Sequence, residues 1–344
     1  MPLPPLENDS LAVLVFGPGY GELVLIRVPP SSWMVVDGCG AGDIDYAVAT
    51  LAHYRASPSI VVLTHPHDDH SRGLSGVIEA ATPPDRKETW PRIGMVLPPG
   101  NDVAAHSAGY IAGVTIQAIA AIEQRWNDSP ACRWDVNAED VERLGDATLR
   151  VLSPREEVRA DQMARWIARR RIDPNVISTA LLLEWRGRRI VLGSDLVENP
   201  RRGWSHSLVI DPELGHHDLL KVPHHGSDAA LLDEVLLPRT GATAPSRIIT
   251  PFRLRRLPRF SPGVGAHRVA SLPGTTYLTG LPRPHAKQSG REEERSLAEL
   301  AAGDGISFAP TTNGFPDCYV LVSLPPNGDA PTVERGPGSV TIVR

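Results

Sequence analysis

Between Val61 and Gly73 the chain reads VVLTHPHDDHSRG, an apolar run that ends in three histidines and two aspartates within six residues. The pattern is His65-x-His67-x-Asp69-His70. Neutral imidazole nitrogen and carboxylate oxygen bind divalent metals at about 2.0–2.2 Å, and several such ligands must converge on one point. Side chains alternate along an extended run, so His65 and His67 point the same way, and the turn that follows aims Asp69 and His70 at a second point nearby. The spacing predicts two adjacent metals. Asp68 lies off this pattern and reads as an exposed or supporting residue.

One cluster does not close a two-metal site, so further ligands must come from distant segments. Asp195, in IVLGSD, stands at the end of an apolar run, where a carboxylate is costly unless paired, hydrogen-bonded or bound to metal. It is the candidate to bridge both ions. His224 and His225, in KVPHHGSD, also follow a strand-like run, with a glycine that permits close backbone approach. One of the two completes the second metal, with His224 the preferred assignment and His225 the alternative. His225, where it is not the ligand, is placed to donate a proton or hydrogen bond to substrate.

The elements that must position these residues alternate in type. LAVLVFG, ELVLIRV and WMVVDGCG read as a meander of short strands, DIDYAVATLAHYRA as a helix, and SIVVLT as the strand that delivers the histidines. Residues 107–126 predict a longer helix, and REEVRADQMARWIARRRIDPN a helix or an insertion over a site. STALLLEW and RRIVLGSD predict two strands, AALLDEVLLP a helix, and SRIIT, TTYLTG, GISFA and CYVLVSL further strands. This is an α/β (α+β) pattern, with no fixed-period repeat and no linker that divides it. The expectation is one domain over 1–344, with its core at about 11–280 and a C-terminal, strand-containing extension over 281–344.

A net charge of −5 argues against a surface built throughout for phosphate backbones, although local basic grooves remain compatible with it. Only three of the 35 basic residues are lysine, and the arginines are scattered along the chain. Three separated cysteines give no disulfide framework, which fits a reducing compartment. No signal segment or membrane-length apolar run is present, so the expected location is cytoplasmic, with no membrane partner.

HxHxDH behind a strand, Asp195 closing IVLGSD, and LLKVPHHGS together resemble the metallo-β-lactamase superfamily, and the last resembles the metallo-hydrolase domain of the ComEC DNA-uptake proteins. FGPGYGELVLI is similar to that branch's opening glycine-rich hairpin, WMVVDGCG to its strand ending in Asp-Gly, and Asn175-x-x-Ser178 to its Asn/Ser step before two strands. Two departures stand out: Gly19-Tyr20-Gly21-Glu22 replaces a Gly-Gln-Gly-Asp opening, and PFRLRRLPRFSPG replaces a late Asn and His-Pro element. The resemblance implies a four-layer αββα sandwich with metals at one edge. It also implies hydrolysis by metal-activated water, with Asp69, Asp195 and His225 in catalysis and Asn175, Ser178 and Ser227 facing substrate.

Many superfamily members use a third histidine for the first metal. Only His106 lies between the cluster and Asp195; it reads as a surface residue, with Asn175 or Ser178 standing in its place. The implied cofactors are two divalent ions, zinc or manganese, with iron as an alternative. The implied activity is a nuclease acting on DNA or RNA, with arginines in 165–171, Arg201, Arg202 and those in 253–259 as phosphate contacts. The membrane channel of the ComEC proteins is missing from this sequence. Freestanding relatives suggest a protein partner and a part in bacterial defence. The alternatives are a hydrolase of a small phosphodiester or other ester, and a non-catalytic metal-binding subunit.

Overall fold

Apolar runs of five to seven residues, too continuous for a half-exposed sheet, are what strands buried on both faces require. The computed structural model describes residues 3–41, 44–96, 113–168, 170, 173–237, 244–253, 255–280 and 317–342. Two eight-stranded sheets lie within them. The first runs, edge to edge, Thr332–Arg335, Tyr319–Leu324, Leu11–Phe16, Glu22–Val28, Ser32–Gly38, Pro58–Leu63, Arg92–Met95, Arg133–Asp135. The second runs Val340–Ile342, Thr275–Leu278, Ser246–Ile249, Leu219–Lys221, Arg188–Leu192, Leu181–Trp185, Ala147–Val151, Val141–Leu144.

Strand alternation decides what each face packs against. In the second sheet Leu181, Leu183, Trp185, Ile190, Leu192, Leu219 and Ile248 join the core shared with the first sheet. Their neighbours Leu182, Val191, Leu220, Ile249 and Leu278 join a separate core with Trp204, Val235 and Val269 from the helices Trp204–Ile210, Asp233–Leu236 and Gly265–Ala270. Helices Tyr46–His53, Leu74–Ala81 and Gly113–Asp128 pack on the first sheet. The architecture is a four-layer αββα sandwich.

The chain after 281, expected as an extension, returns to both sheets. Tyr319–Leu324 pairs with Leu11–Phe16 over its whole length, and Val340–Ile342 with Thr275–Leu278. The arginine-rich stretch forms the helix Glu156–Ile167, and the helix expected over 107–126 is described as Gly113–Asp128. AALLDEVLLP yields only a single turn at Asp228–Ala230 and the short helix Asp233–Leu236. GISFA, residues 281–304, His106, Arg169 and Arg171 lie outside the described residues.

Strands Ser32–Gly38 and Pro58–Leu63 run parallel, as do Arg188–Leu192, Leu219–Lys221, Ser246–Ile249 and Thr275–Leu278. Their carboxyl ends carry Asp37, the histidine cluster, Asp195, the paired histidines and Thr250 to one edge of the sandwich. Strand ends of this kind are where open α/β sheets hold ligands. No described helix is long and apolar enough to cross a membrane.

Candidate metal centre

Pro58–Leu63 ends at Thr64, and the chain then passes through His65 and His67 into the one-turn helix Asp68–Ser71. His65 and His67 fall on one point, with Nε2 of the first 3.0 Å from Nδ1 of the second. Together with Asp195 they form a group whose ligand atoms all lie within 4.8 Å of one another. The helical turn sends His70 to a second group, made with Glu22, Asp195 and His225, under the same limit. Asp195 belongs to both groups. Its Oδ2 is 3.7 Å from His65 Nε2 and 3.8 Å from His224 Nε2, while its Oδ1 is 3.4 Å from His70 Nε2 and 3.7 Å from His225 Nε2.

The structure divides the paired histidines in favour of the alternative that the sequence left open rather than the preferred one. His225, expected to face substrate, is buried in the second group, with Nε2 3.2 Å from Asp69 Oδ2. Its Nδ1 donates to the Thr250 carbonyl at 2.9 Å, which leaves Nε2 for a metal. His224, expected as the second-metal ligand, stands beside the first group and the Asn175 amide, with Nδ2 of Asn175 3.2 Å from its Nε2. Both histidines take left-handed backbone, φ 46° and 51°, followed by Gly226 at 75°. The alternation that separates His65 from Asp69 and His70 has no hold on such a turn.

Asn175 lines the cavity above the centre, as do His67, Asp68, Asp69, Asp195, His224 and His225, with Phe252, Arg255 and Leu257 completing a volume of about 450 Å³. Ser178, expected to face substrate, is fully buried, and its hydroxyl is used internally. It accepts from Asp195 N–H at 2.9 Å and donates to Ser194 Oγ at 2.9 Å. Ser194 donates to Thr64 Oγ1 at 2.6 Å, and Thr64 donates to Asp37 Oδ2 at 2.7 Å. Asp37 Oδ2 also accepts from His70 Nδ1 at 2.6 Å, closing a hydrogen-bonded chain from one sheet's ligand to the other's. Ser227 is outside the cavity lining; its N–H caps the turn on the His224 carbonyl at 2.8 Å.

Two contributors escaped sequence reasoning. Asp37 was read only as the end of a strand, yet it orients His70 and takes the Thr64 N–H at 2.8 Å. Glu22, noted only as a departure from an expected aspartate, is buried at the centre's rim, ion-paired with buried Lys221 and accepting from Thr250 Oγ1 at 2.7 Å. The single signal was composition: Lys221 is a charged residue inside the apolar run LLKV.

The electrostatics call for positive charge. Burial opposes a charged His70, but Asp37 and Asp195 outweigh it and raise its pKa well above the imidazole range. Burial also opposes charge on His225, and Asp195 and Asp69 raise it. Asp195 is driven up by burial yet held well below the carboxylate range by His225 and His70. His65 and His67 are lowered, first by burial, and so are neutral donors. His70 Nε2 and Asp195 Oδ1 are buried and face each other at 3.4 Å without a well-aligned hydrogen bond, and neither has a hydrogen-bond partner among the described residues; His224 Nδ1 is also buried without one. Buried polar atoms left under-satisfied are costly, and cations would satisfy the first two. The donor set therefore fits a binuclear metal site of imidazole and carboxylate character.

No protein-family model matches the chain, and no curated protein is similar to it in sequence. Among solved structures it is similar to the metallo-β-lactamase fold protein YhfI of Bacillus subtilis, at 16% identity over 71% of this chain and 86% of that one, with a TM-score of 0.40. It is also similar to a diphosphatase of the PhnP family, at 10% identity over 69% and 86%, TM-score 0.38. A third is CmlA, a diiron β-hydroxylase of Streptomyces venezuelae, at 13% identity over 64% of this chain and 35% of that one, TM-score 0.36. These are similarities of fold.

Proposed function

We propose that the chain is a metal-dependent hydrolase acting as a phosphodiesterase on DNA or RNA. The observation that carries this reading is Asp195, whose two oxygens face two separate groups of ligands at the floor of a cavity open to substrate. His65, His67 and Asp195 would hold one ion, and His70, His225 and Asp195 the other, with Glu22 in the same group and Asp69 Oδ2 beside it, 3.2 Å from His225 Nε2 and 4.0 Å from His70 Nε2. Two such ions would supply Lewis acidity, making water nucleophilic at neutral pH and stabilising charge on the displaced oxygen.

The chain's own residues do the rest. Asp37 keeps His70 Nε2 turned inward by holding its Nδ1–H, and Thr250 does the same for His225. The hydroxyl chain Ser178–Ser194–Thr64 ties the backbone N–H of Asp195 on one sheet to Asp37, which holds His70 on the other. His224, whose Nε2 lies 3.2 Å from the Asn175 amide nitrogen and whose pKa burial lowers, is a half-buried neutral imidazole at the cavity wall, placed to help position substrate beside the centre.

The test incubates metal-loaded protein with labelled single- and double-stranded DNA, RNA and a chromogenic phosphodiester. Cleavage of a polymer, lost in a folded Asp69→Ala variant, is expected. Cleavage of the small diester alone would reject the nuclease reading, and no cleavage of any diester with zinc, manganese or iron would reject the hydrolase.

A further inference from the structure

We propose that the hairpin Phe252–Leu257 makes the site specific for substrates with a second phosphate beside the one attacked, and that Arg255 binds that second phosphate. The proposal rests on the metal-dependent hydrolase reading above and names the substrate class of that same site. Strand Ser246–Ile249 ends at Thr250, beneath His225, and the chain then folds back on itself. Phe252 N–H donates to the Leu257 carbonyl at 2.8 Å, and Leu257 N–H to the Phe252 carbonyl at 3.0 Å. Phe252, Arg255 and Leu257 all line the cavity of the metal centre.

The hairpin is held from three sides. Arg253 N–H donates to the Gly19 carbonyl at 2.9 Å, and its guanidinium lies 5.6 Å from the Tyr20 ring centroid. Gly19 has φ 96°, and a Cβ there would meet the Arg253 side chain at 2.5–2.7 Å, so the glycine lets the arginine lie flat across it. Pro258 sits against Gly226 of the histidine turn, where an added Cβ would come within 3.0 Å. The Phe252 ring stacks on His225, with centroids 5.1 Å apart and planes at 27°. A loop pinned to the ligand-bearing turn presents its side chains at a fixed distance from the metal centre, which is what discrimination between substrates requires.

Arg255 is exposed and makes no ion pair among the described residues, although Asp68 and Asp69 line the same cavity. It is the one permanently charged cation among the described residues of that lining. The metal groups account for the phosphate under attack, so a guanidinium on the facing hairpin is a fork for another one. Phe252 and Leu257 add an apolar surface beside it, suited to a nucleobase. An adjacent phosphate occurs in a polynucleotide, one nucleotide away, and in a nucleoside polyphosphate, through an anhydride.

Binding to the metal-loaded protein separates these sources without turnover when the ligands are thymidine 5′-monophosphate, thymidine 3′,5′-bisphosphate and the α,β-methylene analogue of thymidine diphosphate, which contain neither a diester nor an anhydride to cut. Wild type is expected to bind one of the doubly phosphorylated ligands about 10- to 100-fold tighter than the monophosphate. Preference for the bisphosphate assigns the polynucleotide, and preference for the diphosphate analogue assigns the anhydride. Arg255→Ala is expected to abolish the preference while leaving monophosphate affinity within about twofold, and Arg255→Lys to restore part of it. Equal affinities in wild type, or a preference that survives Arg255→Ala, would overturn the proposal. Failure of the hydrolase reading is seen separately, as intact diesters with the Arg255-dependent preference still present.

Discussion

Asp37→Asn is the substitution that isolates how the centre is held. Asp37 touches no candidate site for a metal directly: its Oδ2 accepts from His70 Nδ1 at 2.6 Å and Thr64 Oγ1 at 2.7 Å, and its Oδ1 from Thr64 N–H at 2.8 Å. Asparagine keeps the volume and tolerates the left-handed backbone found there, φ 61°, so neither packing nor strain changes. An amide has one acceptor oxygen where the carboxylate has two. Whichever way it turns, either His70 Nδ1–H or the Thr64 N–H meets an amide NH₂, and that buried donor costs about 1–3 kcal/mol. His70 is then free to turn Nε2 out of the second group. Loss of such an orienting partner lowers metal affinity about 10- to 100-fold. Calorimetric titration of the apoprotein with zinc or manganese should show this weakening at one of two sites, with the other little changed and the far-ultraviolet circular dichroism retained. An Asp37→Asn protein that folds and binds both ions with wild-type affinity would refute the argument that Asp37 orients His70.

Other outcomes follow from buried charge. Lys221→Met leaves Glu22 buried without its partner and should cost about 3–5 kcal/mol in chemical denaturation, while adding Glu22→Gln should recover much of it. His217 is buried, and burial depresses its pKa to about 4, so the folded state binds its proton less tightly than the unfolded chain. The stability it contributes is present above its unfolded value near 6.5 and is lost as pH falls toward 4, up to about 3 kcal/mol. His217→Asn, whose amide can still donate to the Leu214 carbonyl that Nδ1 reaches at 3.0 Å, should flatten stability against pH across that window. An unchanged slope would show that His217 is not the group responsible.

The sequence made the ligand types legible because metal chemistry restricts them to a few residues, and made their location legible because each followed an apolar run. Alternation along an extended chain was enough to bring His65 and His67 to one point and His70 to another. It failed at His224 and His225, where consecutive left-handed residues replace the strand, and only the turn's geometry decides which imidazole goes inward. It also failed for Glu22 and Lys221, which are far apart in the chain and lie on different sheets; their pairing depends on how the sheets stack. Ser178 shows the opposite error. A small polar residue near the site suggested substrate contact, but a fully buried hydroxyl is more useful satisfying the Asp195 N–H and Ser194 than facing water. Tyr319–Leu324 was visible as the apolar run CYVLVSL and Val340–Ile342 was not read as a strand; the return of both to strands Leu11–Phe16 and Thr275–Leu278 is a long-range pairing that no local pattern announces.

The account stands on ligands from both sheets sharing one carboxylate between two cations. Metal analysis of untagged protein, loaded and then passed through a desalting column, tests this most directly when wild type is compared with Asp195→Ala. Two equivalents per chain in wild type and the loss of both in the variant are predicted, since Asp195 faces both groups. Two equivalents retained in a folded Asp195→Ala protein, or no bound divalent metal in wild type, would contradict it.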